Sequence, residues 1–201
     1  MVPSLIILTL SIIKLRKSAL LIFLTQWGLH LSIISTLLSI ECGRMRNVGK
    51  TTIKRWCAII LQVTFVVQVL IVMIYWIVLH PLVVQNLKID EEPFLWYHLI
   101  FIHSLPFANV FSNVVFSRVV FIPSHCTYLS IIGWSYSIVN FIGAQYRGQP
   151  LYPFLKWQDY KSLIFCLLFN VFAVLLFHLM TIITIKFKKR PTDYNRKIKL
   201  D

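Results

Sequence analysis

Five stretches of this chain, residues 20–40, 56–84, 94–122, 126–144 and 162–185, are apolar over lengths that cross a bilayer. About 20 residues of helix, rising 1.5 Å each, cover the ~30 Å hydrocarbon core. Within lipid, a chain must satisfy its backbone polar groups internally, and a helix does this by itself. Only short linkers separate the stretches, so no separate soluble domain fits between them. The balance of residues agrees: 58% are apolar and 13% charged, where a soluble domain carries about 25% charged. The expected fold is all-α, a polytopic transmembrane helix bundle of five spans preceded by a short N-terminal apolar segment. One integral membrane domain covers residues 1–201, and residues 186–201 form a basic, flexible C-terminal tail.

The N-terminal apolar segment, residues 5–13, is too short to span upright and runs into Lys14, Arg16 and Lys17. It reads as an interfacial segment or as a thin, tilted sixth span. It lacks the basic n-region and small-residue cleavage site of a secretory signal, and the Arg- and Ser-rich pattern of a transit peptide. An internal span directing insertion leaves both an endomembrane and a mitochondrial inner-membrane location open. The net charge is +13, from 20 Lys and Arg against 7 acids. With five spans, the linker at 44–55 and the tail share one side and hold five and seven basic residues. The other side holds three, one and three. The positive-inside rule then places the tail in the cytoplasm or matrix. Basic residues flanking spans meet anionic lipid headgroups, so membrane lipids are the expected partners and nucleic acid is not.

Cys42, Cys57, Cys126 and Cys166 have no CxxC spacing and lie in or beside apolar segments, as small core residues or free thiols do. Gly49-Lys50-Thr51-Thr52 resembles the end of a phosphate-binding loop, but the glycine that motif needs five residues earlier is Arg44. There is no HExxH, no GxSxG and no acid inside the spans. This argues against zinc hydrolysis, two-carboxylate chemistry and a carboxylate proton relay. No metal or cofactor is expected. Trp56, Trp76, Trp96 and Trp157 sit near span ends, where an aromatic belt accounts for them.

The third stretch holds polar residues that a lipid-facing helix should not: His98, His103, Asn109, Ser112, Asn113 and Arg118. Such residues at membrane depth usually face a bundle interior or a wet cavity. At 3.6 residues per turn, His98 and His103 point about 140° apart, and His98 shares its face with Asn109, Ser112 and Asn113. Pro106 lies between them and can kink the helix. On the first span Thr25 and Gln26 lie about a turn inside the membrane. A hydroxyl becomes a nucleophile when a neighbouring base takes its proton, and Thr25 with a histidine from another span makes such a pair. The alternative for each residue is structural: Thr25 bonded to its own helix, each histidine bridging helices or holding water.

The order Phe23-Leu24-Thr25-Gln26-Trp27, then His103-Ser104-Leu105-Pro106, then Gly148-Gln149-Pro150-Leu151-Tyr152-Pro153-Phe154-Leu155 resembles the androgen-induced gene 1 family. That family includes the androgen-dependent TFPI-regulating protein. The resemblance covers roughly residues 20–186. It implies a multi-span membrane hydrolase that cleaves fatty acid esters of hydroxy fatty acids with an intramembrane threonine and histidine. The threonine corresponds to Thr25. In animal members two histidines three apart precede the proline, whereas here they are five apart. Gapless spacing from Pro106 sets His98 on the first and Phe101 on the catalytic second; a gap brings in His103, with a His-x-x-Pro arrangement, and His103 is preferred. The family usually has six spans, so the first is missing or shortened to residues 5–13.

Two functions follow. In the first, Thr25 attacks an ester carbonyl, His103 or His98 is the general base and then acid, and Asn109, Asn113 and Tyr152 bind substrate. In the second, the chain keeps the family fold as a non-catalytic accessory subunit of a larger membrane complex, a reading motivated by the shortened N-terminus, the altered histidine spacing and the basic tail. The distance from Thr25 Oγ1 to the two histidine rings, with or without an adjoining lipid-accessible cavity, discriminates between them.

Overall fold

The computed structural model describes residues 22–44, 51–86 and 92–188. The short apolar segment at 5–13, the acidic linker around Lys88 and most of the basic tail lie outside the described residues. The described chain is all-helical: α1 Leu24–Arg44, α2 Thr51–Ile74, α3 His80–Asn86, α4 Pro93–Phe116, α5 Cys126–Arg147 and α6 Tyr160–Phe187. Three helical stretches among the described residues are long and apolar enough to cross a membrane: Thr52–Gln85, Pro93–Phe116 and Tyr160–Phe187. The first is continuous through α2 and α3, and it is the buried centre of the bundle; the other two turn most of their surface outward. Outward-facing Leu163, Leu167, Leu168, Leu175 and Ile182 make α6 apolar on its exposed side, as lipid contact requires.

Helices α1 and α5 carry more polar residues, and several of their hydroxyls are absorbed locally. Ser32 donates to the Gly28 carbonyl (2.9 Å), Thr36 to that of Ser32 (2.7 Å) and Ser137 to that of Gly133 (3.0 Å). This i−4 bonding is the usual fate of a hydroxyl inside a helix. Gly28 lets α1 press against α2, because a Cβ there would lie 2.3 Å from Ile71 Cδ1. Across that contact Gln68 Nε2 donates to Ser32 Oγ at 2.7 Å.

Between α2 and α3 the chain makes a π-turn, Tyr75–Leu79, with the His80 N–H bonded to the Tyr75 carbonyl. Pro81 follows directly. Proline has no N–H to give and its ring collides with the carbonyl four residues back, so a widened turn relieves the collision at this place. π-Turns of this kind often occur at functional sites.

The third span is shorter than its composition suggests. Helix α4 stops at Phe116, and Ser117 is extended, so Arg118 lies beyond the helix and not among its inward polar residues. Irregular backbone here is satisfied from other helices. Gln62 of α2 donates to the Val120 carbonyl (3.0 Å) and accepts from the Ile122 N–H (3.2 Å). Thr184 of α6 accepts from the Phe121 N–H at 3.0 Å. Lys188 Nζ donates to the carbonyls of Val114, Ser117 and Val119, covering the open end of α4. Phe121, fully buried, then packs against Phe65 and Phe177 in the core.

Candidate active site

Thr25 stands in the first turn of α1, just after a break at Phe23. At the break two phenols take the Leu24 N–H: Tyr136 Oη at 3.0 Å and Tyr152 Oη at 3.2 Å. Tyr136 comes from α5 and Tyr152 from the loop after it. The start of α1 is thereby tied to the far side of the bundle, and Thr25 with it.

His103 lies mid-way along α4 and is buried. Its Nδ1 is 2.6 Å from the Leu99 carbonyl oxygen, and its Nε2 is 3.1 Å from Thr25 Oγ1. A carbonyl can only accept, so the ring proton sits on Nδ1 and Nε2 presents its lone pair to the threonine hydroxyl. This is the relation a nucleophile needs with its base, with a backbone carbonyl as the third, orienting group. The ring is also held by Tyr75, which stacks on it with centroids 3.9 Å apart and planes 5° from parallel. Tyr75 is buried and reaches His103 from the π-turn.

Thr25 and His103 both line a cavity of about 70 Å³. Its walls are mostly apolar side chains of α2, α5 and α6, among them Val67, Ile71, Leu129, Ile132, Phe169 and Ala173. Leu129 to Ser137 line it along α5, a length of about 12 Å at 1.5 Å per residue. Such walls suit an apolar group beside Thr25. Tyr136 and Tyr152 stand at the polar end. Tyr152 lies in the loop outside the helices, and burial pushes its phenol above the ordinary value, so it stays protonated and able to donate.

The other sequence candidates fall elsewhere. His98 stacks on Phe94 (5.9 Å, 9°) and is not in the cavity wall. Asn109 and Asn113 are also outside it. The Asn109 amide donates to Thr36 Oγ1 at 2.8 Å, bridging α4 to α1, while the buried Asn113 amide nitrogen has no partner among the described residues. Of the candidates, Thr25, His103 and Tyr152 therefore meet, and His98, Asn109 and Asn113 do not join them. Tyr75, Tyr136, Asn140 and Trp157 were not singled out by sequence reasoning. Trp157 was assigned to an aromatic belt, yet its Nε1 donates inward to Asn140 Oδ1 at 2.8 Å. Among the described residues no group of His, Cys, Asp and Glu is arranged to hold a metal.

Comparison with protein-family models, curated proteins and solved structures yields no match.

Proposed function

We propose that this protein is a membrane-embedded hydrolase of lipid esters, with Thr25 as nucleophile and His103 as general base and acid. The observation that carries this reading is the 3.1 Å approach of Thr25 Oγ1 to His103 Nε2 in the wall of a mostly apolar cavity. His103 Nε2 takes the hydroxyl proton as Oγ1 bonds to the ester carbonyl carbon. The tetrahedral intermediate collapses, the alcohol oxygen leaves, and it takes that proton from His103. Water, activated by the freed Nε2, then attacks the acyl-threonine and releases the fatty acid. The resemblance to the androgen-induced gene 1 family supports the same pair and suggests branched esters of hydroxy fatty acids.

In this reading α1 and α5 are also spans. They have 21 and 22 residues, enough to cross the core, and they expose Ile34, Leu37, Ile131, Ile138 and Ile142 outward. Gln26, Ser32, Ser35 and Thr36 of α1 and Ser137 and Asn140 of α5 are buried, on the side where the proposed chemistry takes place. Substrate would enter from the lipid phase with its chain along α5 and α6.

The test is hydrolysis of a long-chain fatty acid ester of a secondary alcohol by purified protein in lipid nanodiscs. Thr25→Val, isosteric but without the hydroxyl, should abolish turnover, and a fluorophosphonate probe should label wild type at Thr25 only. Equal turnover by wild type and Thr25→Val would sink the mechanism.

A further inference from the structure

A chain of hydrogen bonds leads to the cavity, and its direction follows from the donor inventory. It begins at Trp157, whose indole N–H can only donate. Trp157 Nε1 donates to Asn140 Oδ1 at 2.8 Å. That fixes the amide of Asn140, which is completely buried, with its NH2 group turned the other way. Asn140 Nδ2 donates to Tyr136 Oη at 3.1 Å. Tyr136 also stands 3.0 Å from the Leu24 N–H, whose one proton it shares with Tyr152, and its own hydroxyl proton goes onward.

Two acceptors stand before that proton, the Ile22 carbonyl and Tyr152 Oη, each at 3.2 Å. Tyr152 in turn accepts from the Leu24 N–H at 3.2 Å. When Tyr136 donates to Tyr152, the Tyr152 proton has no acceptor left in the network. It is then free for a ligand in the cavity that Tyr152 lines together with Thr25 and His103. Leu24, the residue both phenols hold, immediately precedes Thr25.

The chain is held by unusual backbone. Trp157 has φ 60°, a left-handed conformation that is an outlier for a bulky side chain. Its N–H is secured by Ser162 Oγ at 2.8 Å, and its ring packs edge-on against Phe141 at 5.3 Å. The loop thus keeps a strained tryptophan whose indole N–H is the first donor of the series. Donors in series polarise one another and strengthen the last bond.

We infer that Tyr152 Oη donates a hydrogen bond to the carbonyl oxygen of a bound ester, with Tyr136, Asn140 and Trp157 as positioning residues behind it. The inference rests on the hydrolase reading for its substrate class. In that reaction the carbonyl oxygen becomes an oxyanion as Thr25 Oγ1 adds, and a preset donor stabilises it. No proton leaves Tyr152; it supplies a bond that shortens as charge develops. This gives the loop phenol the role that Asn109 and Asn113, outside the cavity, are not placed to fill.

The test uses an ester of a secondary alcohol carrying 13C at its carbonyl, bound to Thr25→Val protein in nanodiscs and followed by infrared difference spectroscopy. The expected result is a carbonyl band shifted to lower frequency, absent in Thr25→Val with Tyr152→Phe and partly restored toward the free value with Tyr136→Phe. In the active background, Tyr152→Phe should lower kcat by about 10²–10³-fold, as loss of one oxyanion donor does, with little change in KM. The phenylalanine keeps the ring contacts with Phe23 and Phe154, and the Leu24 N–H keeps Tyr136, so the fold should hold. Unchanged melting checks this. A band indifferent to Tyr152→Phe overturns the inference, and undiminished kcat in that case leaves the hydrolase reading standing. A band lost with Tyr152 while wild type shows no turnover has the reverse meaning: the carbonyl site stands and the hydrolase reading falls.

Discussion

The Tyr75 ring lies flat on the His103 ring, 3.9 Å between centroids and 5° between planes. The two come from different helices, and the contact exists because the π-turn before Pro81 brings Tyr75 round toward α4. It holds the imidazole plane while the Leu99 carbonyl sets its proton. Tyr75→Phe keeps the stacked face and should leave turnover within about threefold of wild type. Tyr75→Ala removes a buried aromatic and should cost about 3–5 kcal/mol of stability. It should also lower kcat at least tenfold. Thermal melting and ester hydrolysis check the pair; equal kcat in all three proteins would show that the stack orients nothing.

His103 and Thr25 should behave as one unit. General-base loss typically costs about 10²–10⁴-fold, so His103→Gln should fall in that range. Adding Thr25→Val to it should cost little more, because residues that act together are non-additive. His98→Gln, outside the cavity wall, should retain near-wild-type kcat. A larger loss from His98→Gln than from His103→Gln would assign the base to His98 instead.

At Gly133 helix α5 packs closely against α6. A Cβ at this position would lie 2.1 Å from Asn170 Oδ1. Gly133→Ala should therefore destabilise by about 1–3 kcal/mol, the usual cost of overpacking. Shortening the partner with Asn170→Ala should recover a good part of that loss, which a double-mutant cycle of melting temperatures in detergent measures. Additive losses would show that the two side chains do not meet.

Gln62 serves the irregular segment after α4 with both ends of its amide, and its Oε1 also lies 3.0 Å from His125 Nδ1. Gln62→Leu keeps the bulk and strands buried polar groups at about 1–3 kcal/mol. Hydrogen exchange at Ile122 should quicken markedly while amides in the middle of α6 stay protected. Uniform exchange across both would indicate global rather than local loosening.

The reach of sequence reasoning differs from element to element. Long apolar runs at 56–84, 94–122 and 162–185 were legible because transfer from water to lipid acts on each residue nearly independently. The end of α4 was not: residues 117–122 are apolar enough to continue a helix, and Gln62, Thr184 and Lys188 from distant positions help satisfy them in extended form. Thr25 and His103 were singled out through a resemblance and the chemistry of their side chains. That they meet depends on how α1 and α4 pack, which no local pattern encodes.

Trp157 shows the limit most sharply. Near the end of a span, a tryptophan is normally explained by the interface, and composition has no means of seeing an inward N–H. By itself the sequence determined that this chain is helical and apolar, and which side chains are available for chemistry. Tertiary structure alone decided that Tyr75, Tyr136 and Tyr152 gather around Thr25 and His103. The physical reason is that hydrogen bonds and ring contacts act over about 3–6 Å, so they depend on relative helix positions, whereas hydrophobicity is carried by each residue wherever it lies.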